Sequence, residues 1–209
     1  FSFLPCDPFE AFQILQRYGF RSDQPSIGLT VLPSLGGSVN KYAIQNYYTS
    51  LAAGLDIFLQ HQDVHLYFFN QVWGYSSIED DRLGILRVLS LLKKHHKHLH
   101  WVNSPLSPAQ LKACYGWMDL FIPSRLHSGI FALGMDVPCL FIGYLTKTRG
   151  IVKSLGLESW ILQMETMTPT LVRKKVATAW EEREMNKMLL QKILPSVIEA
   201  AQMPGRIIV

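Results

Sequence analysis

Ser124-Arg125-Leu126-His127-Ser128 is the stretch whose residue types and spacing best suit chemistry. An arginine can hold a carboxylate or phosphate through two parallel hydrogen bonds, and a histidine two residues later can move a proton near neutral pH. The flanking residues indicate how such a pair is held. Asp119-Leu120-Phe121-Ile122 is apolar after its first residue, as expected of a short parallel strand covered on both faces. Ile130, Phe131 and Leu133 continue the burial along a helix that should end at Gly134. The polar run therefore falls at the carboxyl end of a strand and in the first turn of a helix, where open α/β sheets bind ligands and unpaired N–H groups attract anions. Residue types alone equally allow an ordinary surface turn capped by Arg125 and His127.

The rest of the chain must supply a sheet around that strand. Residues 27–32 form the first clear apolar strand, and Pro33-Ser34-Leu35-Gly36-Gly37-Ser38 after it lacks the spacing of a dinucleotide or P-loop fingerprint. Ile44, Tyr47, Tyr48, Leu51, Leu55, Phe58 and Leu59 recur at helical spacing and define a covering helix. Residues 64–69 read as a central strand ending at Asn70 and Gln71. Ser77 and Asp80 stand at capping-box spacing, and Glu79, Asp80 and Asp81 suit the positive end of a helix dipole. That helix runs through Leu83, Leu86, Leu89 and Leu92 into a basic, histidine-rich end. A zinc site on His95, His96, His98 and His100 competes there with the simpler reading that a helix carboxyl end attracts basic side chains.

A short strand at 99–102 and a helix opened by Ser107-Pro108-Ala109-Gln110 precede the Asp119 strand. Pro138 introduces the strand 139–142. It is followed by Gly143-Tyr144-Leu145-Thr146-Lys147-Thr148-Arg149-Gly150, and a short helix and strand are expected in 151–162. Thr168-Pro169 should cap a long last helix reaching Ile193, with Pro195 kinking or ending it. Residues 1–24 look different: Asp7-Pro8 starts a helix bearing Phe9, Phe12, Ile14 and Leu15, and a polar connector follows Gly19. They read as the end of an amino-terminal domain and its linker, with residues 25–209 forming the main domain. About six strands alternating with helices predict an α/β fold with a doubly wound, mainly parallel Rossmann-like sheet. Right-handed crossovers then collect Asn70, Gln71, Arg125, His127, Tyr144, Lys147 and Arg149 on one edge. Such an edge favours a small anion carrying phosphate or carboxylate groups.

Composition narrows the partners. A net charge of +4 without a basic block or basic-aromatic stripe argues against nucleic acid. The longest apolar region is broken by Asp136, Pro138 and glycines, so no membrane span is expected. Cys6, Cys114 and Cys139 are widely spaced and odd in number, consistent with reduced thiols in a cytoplasmic protein.

Ser124-Arg125-Leu126-His127-Ser128, followed by Ala132-Leu133-Gly134, Val137-Pro138, Gly143-Tyr144-Leu145-Thr146-Lys147 and Gly156-Leu157, resembles the polysaccharide pyruvyl transferases. The similarity extends back through Asp119 and Glu79-Asp80-Asp81-Arg82, and weakly forward through Trp180-Glu181-Glu182-Arg183. The resemblance implies one half of a GT-B-like two-domain enzyme, the carboxyl-terminal, donor-binding half, with the acceptor-binding amino-terminal domain largely outside this chain. It implies transfer of a pyruvyl ketal group from phosphoenolpyruvate to a sugar of a polysaccharide or glycolipid precursor in cell-envelope biosynthesis, with no separate cofactor and no metal. In that reading Arg125 binds phosphate or carboxylate and acts in catalysis, His127 is the general acid, and Lys147 adds a second positive contact. Ser124, Ser128, Tyr144, Arg149 and Arg82 are further substrate-binding candidates. Where many relatives carry a basic residue after the first strand, this chain has Val31-Leu32-Pro33-Ser34. A nucleotide-sugar glycosyltransferase domain of GT-B type, or a non-catalytic anion-binding module, are the alternatives.

Overall fold

Short apolar strands alternate with amphipathic helices in a computed structural model that describes residues 7–34, 41–76, 78–92, 96–143 and 146–206. β1 (Ser26–Leu29), β2 (His65–Phe69), β3 (Leu99–Val102) and β4 (Leu120–Ile122) form a parallel sheet in the order β3-β2-β1-β4. β5 (Phe141–Gly143) pairs in parallel with β6 (Ile161–Gln163). The two sheets are continuous. Phe121 bridges Cys139, its N–H donates to the Pro138 carbonyl, and the Leu140 and Ile142 N–H groups donate to Phe121 and Pro123. The resulting order β3-β2-β1-β4-β5-β6 is that of a doubly wound sheet, and it reverses direction between β1 and β4.

The period-2 alternation of each strand divides its side chains between two cores. Ile27, Leu29, Leu66, Phe68, Leu120, Ile122, Leu140 and Ile142 face one cluster, which α2 (Lys41–Leu59), α3 (Asp81–Leu91) and α7 (Pro169–Glu181) cover. Tyr67, Phe69, Phe121, Cys139 and Phe141 face the other, under α1 (Pro8–Gln16), α4 (Pro108–Tyr115), α5 (Leu126–Leu133), α6 (Thr146–Ser154) and α8 (Arg183–Arg206). Full burial of a large apolar side chain is worth about 1.5–3 kcal/mol, so strands buried on both faces hold the sheet edge that follows them rigidly. Close approach matters most at Gly129. A Cβ there would lie 2.1 Å from the Phe141 ring, so only glycine lets α5 rest directly on β5.

Several boundaries differ from the sequence reading. α3 takes Asp80 as its N-cap, with the Asp80 carboxylate accepting from the Arg82 N–H at 3.0 Å; Ser77 lies outside the described residues. α6 begins at Thr146, so Lys147 and Arg149 belong to a helix and not to the loop before it. The last helix is two. α7 stops at Glu181, and α8 continues through Pro195 to Arg206. The break is held by Arg183, whose guanidinium lies 4.0 Å from the centre of the buried Trp180 ring and donates to the Trp180 carbonyl at 2.8 Å. Leu190 and Leu194, both buried, anchor α8 just before Pro195 and offset the backbone bond that proline removes. The Ser107–Gln110 capping box forms as its spacing predicts. α1 packs on α4 with Ala11, Ile14 and Leu15 buried, and the Trp117 indole N–H donates to the Pro8 carbonyl at 3.0 Å. The described residues before 25 thus share this domain's second core.

Candidate active site

The switch between β1 and β4 is stitched by buried hydroxyls. The Ser124 N–H donates to Thr30 Oγ1 at 3.2 Å, Thr30 Oγ1 lies 2.8 Å from Ser128 Oγ, and Ser128 Oγ donates to the Arg125 carbonyl at 2.7 Å. Because the single Ser128 proton goes to that carbonyl, Thr30 is the donor to Ser128. Ser124 Oγ is 2.7 Å from the Tyr47 hydroxyl, and burial pushes the Tyr47 phenol up, so it remains neutral. Ser124 and Ser128 are themselves buried. They hold the Arg125 backbone from behind, and a ligand reaches either hydroxyl only if this network opens.

Arg125 is the N-cap residue of α5, with extended backbone and no side-chain cap bond, and its guanidinium reaches across the sheet edge. Its Nε donates to Asp81 Oδ1 at 2.8 Å, its Nη2 stands 2.6 Å from the same oxygen, and Nη2 donates to the Glu79 carbonyl at 3.0 Å. Asp81 is completely buried. Its second oxygen accepts from the Gln71 and Val72 N–H groups, each at 2.9 Å. Burial raises the Asp81 carboxyl above its ordinary value, while Arg125 and the two N–H groups oppose that rise. The start of α3, the end of β2 and the turn after β4 are therefore locked together through one carboxylate. Arg125 is about three-quarters covered, and among the described residues its Nη1 donors meet no protein acceptor. Those donors suit an incoming anion.

The other expected residues divide clearly. His127 is exposed in the first turn of α5, two residues from Arg125. Lys147 is exposed in the first turn of α6, after β5, on the same carboxyl edge. Arg149 makes a long contact, 3.5 Å, to Glu165. Arg82 grips both oxygens of Asp80 through Nε at 2.9 Å, and its guanidinium lies 4.5 Å from the centre of the Trp73 ring. Tyr144 lies outside the described residues, as does the stretch 35–40. Asn70 and Gln71 turn inward: Asn70 accepts from Trp101 and donates to Asn103, each at 3.1 Å, and the Gln71 side-chain carbonyl accepts from Tyr115 at 2.7 Å. Sequence reasoning assigns Asp81 only a helix-dipole role and does not single out Thr30 or Tyr47 for the site. Their one available signal is that Asp81 lies in the helix start that shares the family-like pattern.

Among the described residues, no three His, Cys, Asp or Glu side chains stand together as a metal site, and His100 is committed to His65, with ring nitrogens 2.8 Å apart. His95 lies outside the described residues. Cys114 and Cys139 are buried free thiols; burial pushes Cys114 up to about 12 and Cys139 well above its ordinary value, so neither is a ready nucleophile. Among the described residues no helix is long and apolar enough to cross a membrane.

A Rossmann-like parallel sheet with an arginine and a histidine after the strand at its topological switch defines the broad class, an α/β protein of doubly wound type. Residues 18–146, more than half of the chain, match the family of polysaccharide pyruvyl transferases, and the chain belongs to that family. Solved structures of the same fold include the UDP-GlcNAc 2-epimerase from Neisseria meningitidis bound to UDP-GlcNAc, with a TM-score of 0.60 and 10% identity over 91% of this chain and 49% of that one. The trehalose-6-phosphate phosphatase N-terminal domain from Candida albicans aligns with a TM-score of 0.56 and 11% identity, covering 92% of this chain and 45% of that one. The UDP-GlcNAc 2-epimerase from Methanocaldococcus jannaschii gives 0.53 and 13%, covering 80% and 42%. At these identities the likeness is one of fold, the Rossmann-like sheet of GT-B-like enzymes. The chain spans about half or less of the length of each of these structures.

Proposed function

We propose that this chain is the donor-binding half of a pyruvyl transferase, taking phosphoenolpyruvate as donor and a sugar of a polysaccharide precursor as acceptor. The observation that carries the reading is Arg125, locked to a fully buried Asp81 at the switch point and keeping its Nη1 donors for an anion. Phosphoenolpyruvate presents a phosphate and a carboxylate on one small skeleton. Arg125 binds one of them, and Lys147, in the first turn of α6 after the neighbouring strand β5, supports the other. His127, as general acid, protonates the terminal enol carbon, and positive character develops at the adjacent carbon. One sugar hydroxyl adds there, inorganic phosphate departs, and a second hydroxyl closes the cyclic ketal. The two hydroxyl protons released balance the one taken up by carbon and the one taken up by phosphate. Anchoring Arg125 before the donor arrives lets its charge act without reorganisation as phosphate leaves.

An acceptor-binding half, supplied outside this chain, would close the opposite side of the edge; the matched structures, about twice this chain's length or more, support that arrangement. Calorimetry tests the donor. Phosphoenolpyruvate should bind the chain, and Arg125→Ala should abolish measurable binding. Binding of UDP-N-acetylglucosamine with none of phosphoenolpyruvate would instead select the glycosyltransferase reading.

A further inference from the structure

At the end of the sheet opposite β3, the joint between α7 and α8 leaves a cavity of about 190 Å³ beside the amino ends of β5 and β6. Leu140 enters it from just before β5, and Trp160 from the single helical turn before β6. Lys175 and Ala179 come from one face of α7, Glu182 from its carboxyl end, and Asn186 from the first turn of α8. None of these residues belongs to the Arg125 site, which lies on the carboxyl edge.

Two polar groups in this lining are buried without a protein partner. Asn186 is 7% exposed and Trp160 8%, and among the described residues neither the Asn186 carboxamide nor the Trp160 indole N–H makes a hydrogen bond to protein. Buried amides and indoles are nearly always paired, because an unpaired one forfeits its hydration. Neither group is sealed from solvent, so the cavity both residues line is the place from which a partner reaches them. Charges of both signs stand on the same lining. Lys175 Nζ donates to the Ser159 carbonyl at 3.2 Å, next to Trp160 in the chain, and retains two further protons. Glu182, an exposed carboxylate at the rim, follows about 10 Å further along the helix axis at about 1.5 Å per residue.

We infer that this cavity is a binding site for a small zwitterion, an α-amino acid. A lining with one charge of each sign disfavours a simple anion or cation. An α-amino acid carries both charges on one carbon, and with a hydrogen bond of about 2.9 Å at each end it bridges a gap of the size set by Lys175 and Glu182. Its carboxylate takes the donors of Lys175, Trp160 and Asn186, and its ammonium takes Glu182. Leu140 and Ala179 face a short side chain. The volume is below the roughly 300–1,000 Å³ of a drug-sized site, which restricts the occupant to a small molecule. The inference does not depend on the pyruvyl transferase reading.

Proton–nitrogen correlation NMR on the 209-residue chain tests it, since the Asn186 amide and Trp160 indole N–H groups are themselves observed. Trp160→Phe and Asn186→Ser identify the two signals by their loss. At least one of glycine, L-alanine and L-serine should shift both signals saturably. The same compound without its ammonium, or with its carboxylate amidated, should bind about tenfold more weakly. Lys175→Met and Glu182→Gln should each weaken the amino acid by a similar factor, with the rest of the spectrum unchanged to show an intact fold. Arg125→Ala should leave the shifts in place. No saturable shift with any of the three would mean that water alone fills the cavity, and would overturn the inference. Equal binding of the deaminated or amidated analogue, or shifts that persist in both charge variants, would overturn it too. Loss of the shifts in Arg125→Ala would move the amino acid to the carboxyl edge and have the same result. Phosphoenolpyruvate binding, present or absent, bears only on the donor reading.

Discussion

The two edges of the sheet both concentrate polar groups, yet they handle them in opposite ways. On the amino edge, Asp119 Oδ2 accepts from the Ser26 N–H at 2.8 Å and lies 3.3 Å from its hydroxyl, tying the starts of β1 and β4 together. His65 and His100 join the starts of β2 and β3, with the His100 ring stacked 4.5 Å from that of Tyr67. A cavity of about 170 Å³ opens there, lined by Ser26, Asp119, Asp136 and Arg183, and of these Ser26 and Asp119 are spent closing strand ends. On the carboxyl edge the same kinds of bond are used to aim a side chain. Asp81 spends both oxygens, and the buried hydroxyls of Thr30, Ser124 and Ser128 hold the backbone, so that the Arg125 guanidinium is fixed across the sheet edge. Burial and hydrogen bonding therefore do not by themselves distinguish the two edges. What sets the candidate site apart is a guanidinium held by a completely buried carboxylate.

Four measurements can break or sharpen that contrast. The largest effect should come from His127→Gln in a protein able to pyruvylate a sugar: loss of the general acid should cut turnover about 10²–10⁴-fold while phosphoenolpyruvate binding persists, which steady-state rates and calorimetry would read separately. Turnover close to the parent's would remove His127 from the chemistry. Next, Asp81→Ala strips the partner from a largely covered Arg125 and frees three elements at once; a loss of about 3–5 kcal/mol is expected in urea unfolding, together with weakened donor binding. If stability falls while donor affinity holds, Asp81 is scaffold alone.

Asp119→Ala, on the other edge, should cost about 1–3 kcal/mol in the same unfolding experiment and leave phosphoenolpyruvate binding intact. A matching fall in affinity would erase the distinction between the edges. The smallest effect concerns pH. His65 and His100 are both held below the ordinary histidine value, chiefly by burial, with His98 adding to the depression at both and His65 adding to it at His100. Asp63 opposes this at His65, the Tyr18 carbonyl opposes it at His100, and the Lys97 charge adds to the depression at His65. The unfolded chain then takes up protons first, so the stability these neutral rings contribute is complete above about pH 6.5 and is lost as pH falls below it. Urea midpoints at pH 7.5 and 5.5 should differ by more in the parent than in the His65→Phe/His100→Phe double variant. An equal difference would show that the pair is not a source of the acid sensitivity.

Much of the fold is legible in the residues because burial on both faces leaves a strong imprint. The apolar runs around Ile27, Leu66, Phe121 and Phe141 can be little else than central strands, and their alternation with helical spacing predicts the doubly wound sheet found. The Ser107–Gln110 box and the Thr168 cap are local hydrogen bonds, and local patterns reveal them. The helix break at Glu182 is not legible, because it depends on Arg183 stacking on a Trp180 that tertiary packing buries, while Pro195 is the more conspicuous local signal.

For the site, residue types and order single out Arg125 and His127 as candidates and place them after a buried strand, and the family-like pattern around them is readable in one dimension. Only the tertiary structure decides what Arg125 is attached to. Its partner Asp81 is 44 residues away in sequence, and the two meet because β2 and β4 flank β1 in the same sheet. It likewise turns Ser124 and Ser128 inward onto Thr30 and Tyr47, and directs Asn70 and Gln71 to Trp101 and Tyr115. The physical reason is common to all of these. A side chain's chemistry is a property of its type, but whether its donors are spent or available depends on neighbours that only strand order and crossover bring within 3 Å.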